Sequence, residues 1–246
     1  MYAMAISTYF RNGLNPKRFD LFKLSIDSLL NSGFNSAIFI CDDGSDTKQH
    51  LEYAKSLNDP RLQFIENESN GGYSKIKNLG IKSILDNGFE FGFLCDDDIL
   101  YKPNWFIKYI TAYTKTNYPH FCFYDSEYAI HIKSHGEPFI QNGVKLRRTP
   151  MLQGGMLTFS KNMIESIGYI KVFPRKLGHE HTHWTLKAIH RGLIPGFIDL
   201  QDSMQYLGYC DKTATITTRP DDFEEQAQEN EKFMHKGFEI NEPCII

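Results

Sequence analysis

Phe93-Leu94-Cys95-Asp96-Asp97-Asp98-Ile99-Leu100 is an apolar run that stops at three consecutive carboxylates. A short, uninterrupted apolar run fits a strand buried on both faces, as in a parallel sheet covered by helices. Its acidic end then marks the edge of that sheet. Adjacent carboxylates repel, so Asp96, Asp97 and Asp98 need solvent, hydrogen-bond donors or a cation to be tolerated. Hard oxygen ligands suit Mg²⁺ or Mn²⁺, and Mg²⁺ is commonly held by one or two carboxylates together with substrate phosphates. The competing reading is a solvated turn, or Asp98 capping a following helix.

Outward from this run, apolar strand-like segments alternate with helical patterns. Ala3–Ser7, Ser36–Cys41, Leu62–Ile65 and Phe91–Leu94 are the strand candidates of the first half. Between and after them come a helix opened by Asp20 with Leu21, Leu24, Ile26, Leu29 and Leu30 inward, then Thr47–Leu57, Ser74–Leu85 and Pro103–Thr114. Such β-α alternation predicts an α/β fold: a mostly parallel central sheet with helices on both faces. The polar segments Thr8–Asn12, Asp42–Ser45, Asn67–Tyr73 and Asp96–Asp98 then all fall at carboxyl ends of parallel strands, where open α/β sheets bind ligands.

The second half is less regular. Phe121–Tyr124, Tyr128–Ile132, Met156–Phe159 and Ile194–Ile198 read as strands. Lys161–Ile167 and much of Gly178–Arg191 read as helices, and His135–Thr149 as a basic loop. After about Ile216 the chain turns acidic, predicting a surface helix or loose tail over 216–246. The expected organisation is one catalytic domain over 1–215, with a nucleotide-binding half (1–115) and a smaller, mixed acceptor-side half (116–215).

The 246 residues carry a net charge of −3, so no global basic field recruits nucleic acid; Lys145, Arg147 and Arg148 form only a local basic group. The five cysteines lack metal-ligand spacing, and three sit in strand-like runs, which predicts buried thiols in a reducing compartment. With no signal-peptide pattern and no membrane-spanning run, the expectation is a cytoplasmic protein, with peripheral membrane contact left open.

Three further constellations carry chemistry. Asp42 and Asp43 enter Gly44-Ser45, either as an Asx turn or as carboxylates that accept hydrogen bonds from a nucleobase or ribose. Asn70-Gly71-Gly72-Tyr73-Ser74 opens a helix with Lys75 and Lys77 in its first turns, an arrangement suited to an anion or to a plain glycine turn. His179-Glu180-His181-Thr182-His183 contains H-E-x-x-H, which on a helix would aim His179 and His183 at Zn²⁺ with Glu180 as base. Pro174 and Gly178 stand too close upstream for His179 to lie inside a helix, and no third ligand is evident beyond Asp199 or Asp202. The alternative is that this segment delivers a base, and a metal ligand, to a site built elsewhere.

These motifs, in this order, resemble the family-2 glycosyltransferases with a GT-A fold. Ile6–Asn12 resembles the first strand and nucleotide loop, Cys41–Thr47 the DDGS motif, and Asn70–Ile81 the glycine-containing segment, with Lys77 where Arg is usual. Phe93–Trp105 is similar to the DxD region, Gly154–Gly168 to the acceptor-side segment, and Gly178–Gly192 to the segment that supplies the base. Two departures stand out. Cys95 occupies the first DxD position, with Asp97 in the second, although Asp96 and Asp98 form a D-x-D of their own. His181 stands where the basic Asp is usual.

The resemblance implies a metal-dependent, inverting transfer from a nucleotide-diphosphate sugar, expected to be a UDP-sugar, to the hydroxyl of a glycan, a lipid-linked sugar or another acceptor. Thr8, Tyr9, Arg11, Asp42, Asp43, Asn70, Lys77 and Asp96 would hold the nucleotide. Asp96, Asp97 and Asp98, with His183, would hold Mn²⁺ or Mg²⁺. Glu180 or His181 would act as base, and Gly154, Gly155 and Trp184 would border the donor sugar and acceptor, with acceptor choice expected from Ser126–Thr149. The competing expectations are an inactive GT-A domain that binds nucleotide sugar or glycan, a nucleotidyltransferase on a similar sheet, and a zinc metalloprotease through His179, Glu180 and His183.

Overall fold

A computed structural model describes residues 1–13, 17–127, 134–211 and 222–234. Strands β1 (Tyr2–Thr8), β2 (Ile38–Asp42), β3 (Leu62–Glu66) and β4 (Phe91–Asp96) alternate with helices α1 (Lys17–Leu30), α2 (Gln49–Ser56) and α3 (Tyr73–Asp86). Short β5 (Ile99–Tyr101) and α4 (Trp105–Thr116) follow. The second half contributes β6 (Glu137–Gln141), β7 (Val144–Arg148), β8 (Met156–Ser160), α5 (Lys161–Ile167), α6 (Glu180–His190), β9 (Ile198–Leu200) and β10 (Leu207–Tyr209). The C-terminal acidic segment forms helix α7 (Phe223–Met234).

Among the described residues the main sheet has the order β3-β2-β1-β4-β8. The first four strands are mutually parallel and β8 runs antiparallel to β4. β2 is buried along its whole length, as expected of a strand covered on both faces. α1 buries Leu21, Phe22, Ser25, Ile26 and Leu29, one helical stripe. The register pairs Ser7 with Asp96, Thr8 with Asp42 and Asp42 with Glu66. The acid-bearing ends of neighbouring strands therefore stand level at one edge of the sheet.

Several local expectations are corrected. α1 starts at Lys17, so Asp20 lies within its first turn and does not cap it. Asp98 caps no helix; it sits in the turn between β4 and β5. Pro103 precedes α4, which begins after Asn104 in a left-handed conformation. Phe121–Tyr124 forms no strand, making a single bridge from Cys122 to Leu157. The strand expected at Ile194–Ile198 begins only at Ile198, because Pro195-Gly196 interrupts the run. The basic stretch 135–149 is a hairpin, with β6 and β7 joined at Asn142-Gly143, and β9 extends it as a small antiparallel sheet.

The local basic group dissolves with it: Arg147 is buried and pairs with Asp199 at 3.0 Å, a carboxylate that also accepts from Tyr109 at 2.8 Å. The strand expected at Tyr128–Ile132 falls outside the described residues, as do Cys244 and the start of the acidic tail. Cys41, Cys95 and Cys122 are buried free thiols.

Candidate active site

A cavity of about 450 Å³ opens at the carboxyl ends of β1, β2 and β4. Thr8, Tyr9, Arg11, Asp43, Asn70, Asp96, Asp97 and Asp98, all expected from the sequence, line it. Four segments distant in the chain thus meet where the strand ends were expected to build a site.

Asp43 is held by the glycine turn it faces. Its carboxylate accepts from the backbone N–H groups of Gly71 and Gly72, each at 2.9 Å, and from Asn67 Nδ2 at 3.1 Å. Burial raises its pKa despite these donors. Asp42, its neighbour, lies outside the cavity lining and is fully buried. Its oxygens accept from Ser45, Lys48 (2.5 Å) and His50 (3.0 Å). Burial pushes its carboxyl upward, but the His50, Lys48 and Ser45 hydrogen bonds outweigh burial and hold it well below the usual carboxylate range. Asp42 therefore braces the loop from behind, a correction to its expected position against the nucleotide.

Each carboxylate of the triple-aspartate turn meets a protein cation. Lys77, 1% exposed on α3, pairs with Asp96 at 2.8 Å. Arg18, at the start of α1, ion-pairs with Asp97 and reaches Asp98 at 3.5 Å. Asp97 Oδ2 is buried without a hydrogen-bond partner. Burial raises Asp97, and raises Asp98 to about 7, against the pull of Arg18. Among the described residues no cluster of three or more His, Cys, Asp or Glu side chains is arranged to hold a metal ion. What the donor set does fit is a hard cation taking one or two of these carboxylates and completing its shell with ligand phosphates.

The second half supplies a wall. Asp96 N–H donates to the Gly155 carbonyl at 2.8 Å, and Tyr73 Oη donates to the Gly154 carbonyl at 3.1 Å. A Cβ on Gly154 would stand 2.9 Å from Tyr73 Oη and 3.0 Å from the His181 ring; one on Gly155 would stand 2.5 Å from Tyr209 Oη. Both glycines thus serve close packing between protein groups around the site.

α6 starts with Glu180, which is 2% exposed and has Oε1 without a hydrogen-bond partner. Burial raises its pKa to about 7; backbone N–H donors oppose this and Asp96 adds to it. His181 is lowered to about 4 by burial, and its ring meets Tyr73 at 5.6 Å. Near neutral pH the pair therefore offers a half-titrated carboxyl beside a neutral imidazole.

Besides Asp42, the expected residues Lys77, Gly154, Gly155, Glu180, His181, His183 and Trp184 are absent from the cavity lining. Trp184 is fully buried, donates to the Gly168 carbonyl at 3.0 Å and packs on His120. His183 is buried against Phe173 and is absent from the cavity lining. His179 precedes α6 in a left-handed conformation (φ 67°), so His179 and His183 do not share a helix as the zinc-protease pattern requires. Conversely, Arg18, Lys176, Leu177 and Gln226 line the cavity unforeseen. Lys17-Arg18 at a helix start carries no local sign of the ion pairs it makes some eighty residues downstream.

Residues 15–168 match the family model described as glycosyl transferase family 2. A curated relative, an uncharacterized glycosyltransferase of Acanthamoeba polyphaga mimivirus, is 31% identical over 216 residues, covering 83% of this chain and 79% of the relative. Among solved structures, the mannosyltransferase PcManGT from Pyrobaculum calidifontis, in complex with GDP-Man and Mn²⁺, superposes with a TM-score of 0.55 at 15% identity, over 78% of this chain and 52% of that one. TarS 1–349 from S. aureus in complex with UDP gives 0.52 at 16% identity, over 76% and 54%. The chain spans about half the length of these solved structures. At such identity the likeness is one of fold, and that fold is GT-A-like.

Proposed function

The chain belongs to glycosyl transferase family 2 and is a glycosyltransferase; on that premise we propose that it transfers a sugar, with inversion and metal assistance, from a nucleotide-diphosphate sugar to an acceptor hydroxyl. The observation that carries this reading is the cavity in which Asp43, Asp96, Asp97 and Asp98 converge from the ends of parallel strands. A UDP-sugar is the donor we favour. TarS has been solved with UDP and with UDP-GlcNAc, whereas PcManGT was solved with GDP-Man, so both nucleotides belong in the test.

In this reading Asp43, Asn70 and the Thr8–Arg11 loop hold the base and ribose. Asp96, Asp97 and Asp98 would hold Mn²⁺ or Mg²⁺, which when bound would supply charge neutralisation for the leaving nucleotide. Lys77 and Arg18 hold the three carboxylates in place, since without them the mutual repulsion would splay the turn. Glu180 takes the proton from the acceptor hydroxyl as it attacks the anomeric carbon. A carboxyl near pH 7 is matched to that task, because enough is ionised to accept a proton and it binds the proton firmly once accepted. His181, held neutral by burial, is the second candidate base.

The acceptor is a hydroxyl on a glycan, a lipid-linked sugar or another molecule. Among the described residues no helix is long and apolar enough to cross a membrane. Release of nucleoside diphosphate from a panel containing UDP-glucose, UDP-GlcNAc and GDP-mannose, with Glu180→Gln as control, tests the reading. Turnover that Glu180→Gln abolishes supports it. Tight donor binding with no turnover in any acceptor mixture would favour a binding domain instead, the alternative that Cys95 and His181 raise.

A further inference from the structure

The acidic helix α7 packs against the turn that leads into Glu180. Asn230, fully buried, reaches from α7 into that turn. Its Oδ1 accepts from the Arg175 N–H at 3.1 Å. Its Nδ2 donates to the carbonyls of Leu177 at 2.9 Å, Gly178 at 3.1 Å and Arg175 at 3.2 Å. One amide thus ties three residues of a segment that has no regular secondary structure.

The same segment borders the cavity through Lys176 and Leu177, and α7 itself reaches the cavity with Gln226. Gly178 makes the close approach feasible: at φ +106°, a Cβ there would lie 2.8 Å from Ala227 Cα. The Arg175 ion pairs to Glu229 (3.0 Å) and Glu225 (3.9 Å) are largely solvated and add little. The buried amide is the principal tie.

We propose, building on the transferase reading above, that α7 is part of the active site: Asn230 is a positioning residue for Glu180, and Gln226 contacts the bound donor. The route is short. Asn230 fixes the Leu177 and Gly178 carbonyls just ahead of Glu180, and the Leu177 carbonyl shares its peptide with the Gly178 N–H that favours the ionised Glu180 carboxylate. Held this way, the turn keeps Glu180 out of water. The charged and titratable groups bearing on Glu180 are Asp96 at the end of β4 and Tyr73 on α3; from α7, Glu225 and Glu229 are engaged by Arg175.

Side-chain carboxyl-¹³C NMR titration of Glu180 in the full chain, with Glu180→Gln to assign the signal, reads the positioning role directly. A role confined to holding α7 in place would leave this midpoint unmoved. With Asn230→Ala the turn loosens and water enters; because burial outweighs the Gly178 N–H in setting this pKa, the midpoint falls by about one unit or more toward that of an ordinary glutamate. A folded Asn230→Ala protein whose Glu180 titrates like wild type overturns the positioning role. Gln226→Ala provides the second arm and stands if Asn230→Ala does not fold. Calorimetry with UDP and with GDP should show about three- to tenfold weaker binding, with an unchanged melting temperature. Unchanged affinity overturns the donor contact. If wild type itself binds neither nucleotide, with or without Mn²⁺, the donor reading is what fails, and the Glu180 titration still decides the role of Asn230.

Discussion

Lys77 Nζ lies 2.8 Å from Asp96 Oδ1, and the lysine side chain is wholly buried between α3 and the sheet while the aspartate is partly open to the cavity. The same ammonium sits 5.2 Å from the centre of the Tyr73 ring. A buried cation thus reaches the acidic turn from beneath. Lys77→Met keeps the volume and removes the charge. It should cost about 1–3 kcal/mol of stability, because it strands carboxylates that the cation now compensates. Nucleotide binding should fall about tenfold or more. Thermal denaturation and calorimetry measure the two effects separately.

Glu180 sets a pH dependence of opposite sign for activity and stability. Its folded pKa, about 7, lies above the ordinary value of 4.5. The folded state therefore binds this proton more tightly than the unfolded chain. The associated stability is fully present below about pH 4.5 and is lost as pH rises through about 7. Activity, which needs the ionised base, should instead rise over the upper part of the same window. Glu180→Gln should be inactive, and at pH 8 more stable than wild type by roughly 2–3 kcal/mol at most. Denaturation curves at pH 5 and pH 8 check the sign: a gap that does not widen with pH contradicts the assignment.

Asp42 should behave unlike the carboxylates in the cavity. Its hydrogen bonds from Ser45, Lys48 and His50 are internal, and its pKa is held low. Asp42→Asn should destabilise the fold by about 2–4 kcal/mol. The corresponding wild-type stability is present above the ordinary carboxylate pKa of 3.8 and is lost as pH falls below it. Comparing the melting temperatures of Asp42→Asn and wild type at pH 7 checks the prediction; equal values would mean that Asp42 braces nothing.

Gly154→Ala and Gly155→Ala should each cost about 1–3 kcal/mol through overpacking. Gly154→Ala should also disturb catalysis, since the added methyl meets the Tyr73 hydroxyl and the His181 ring. Gly155→Ala presses on Tyr209 instead. Steady-state kinetics beside thermal melts should find the larger loss of kcat in Gly154→Ala.

The alternation of buried strands and amphipathic helices through residue 116 was legible because β1, β2 and β4 are buried almost throughout and read as apolar runs, with only the half-exposed β3 weaker. The convergence of Asp43, Asn70 and Asp96–Asp98 followed from strand direction alone. The hairpin at 137–148 escaped because β6 contains Pro138, β7 carries Lys145, Arg147 and Arg148, and neither strand shows a long apolar face. Its Asn142-Gly143 turn was the available signal. Arg18 and Asn230 were beyond local pattern, since each acts on residues more than fifty positions away. His183 and Trp184 misled because motif spacing gives no helix phase once the helix begins after His179.

The most direct test of the central claim is calorimetric titration of the full chain with UDP, with and without Mn²⁺, on wild type and on Asp97→Ala. The account predicts binding that requires the metal and disappears in the variant. UDP binding that is indifferent to both metal and Asp97, or no binding of UDP or any other nucleoside diphosphate, would contradict it.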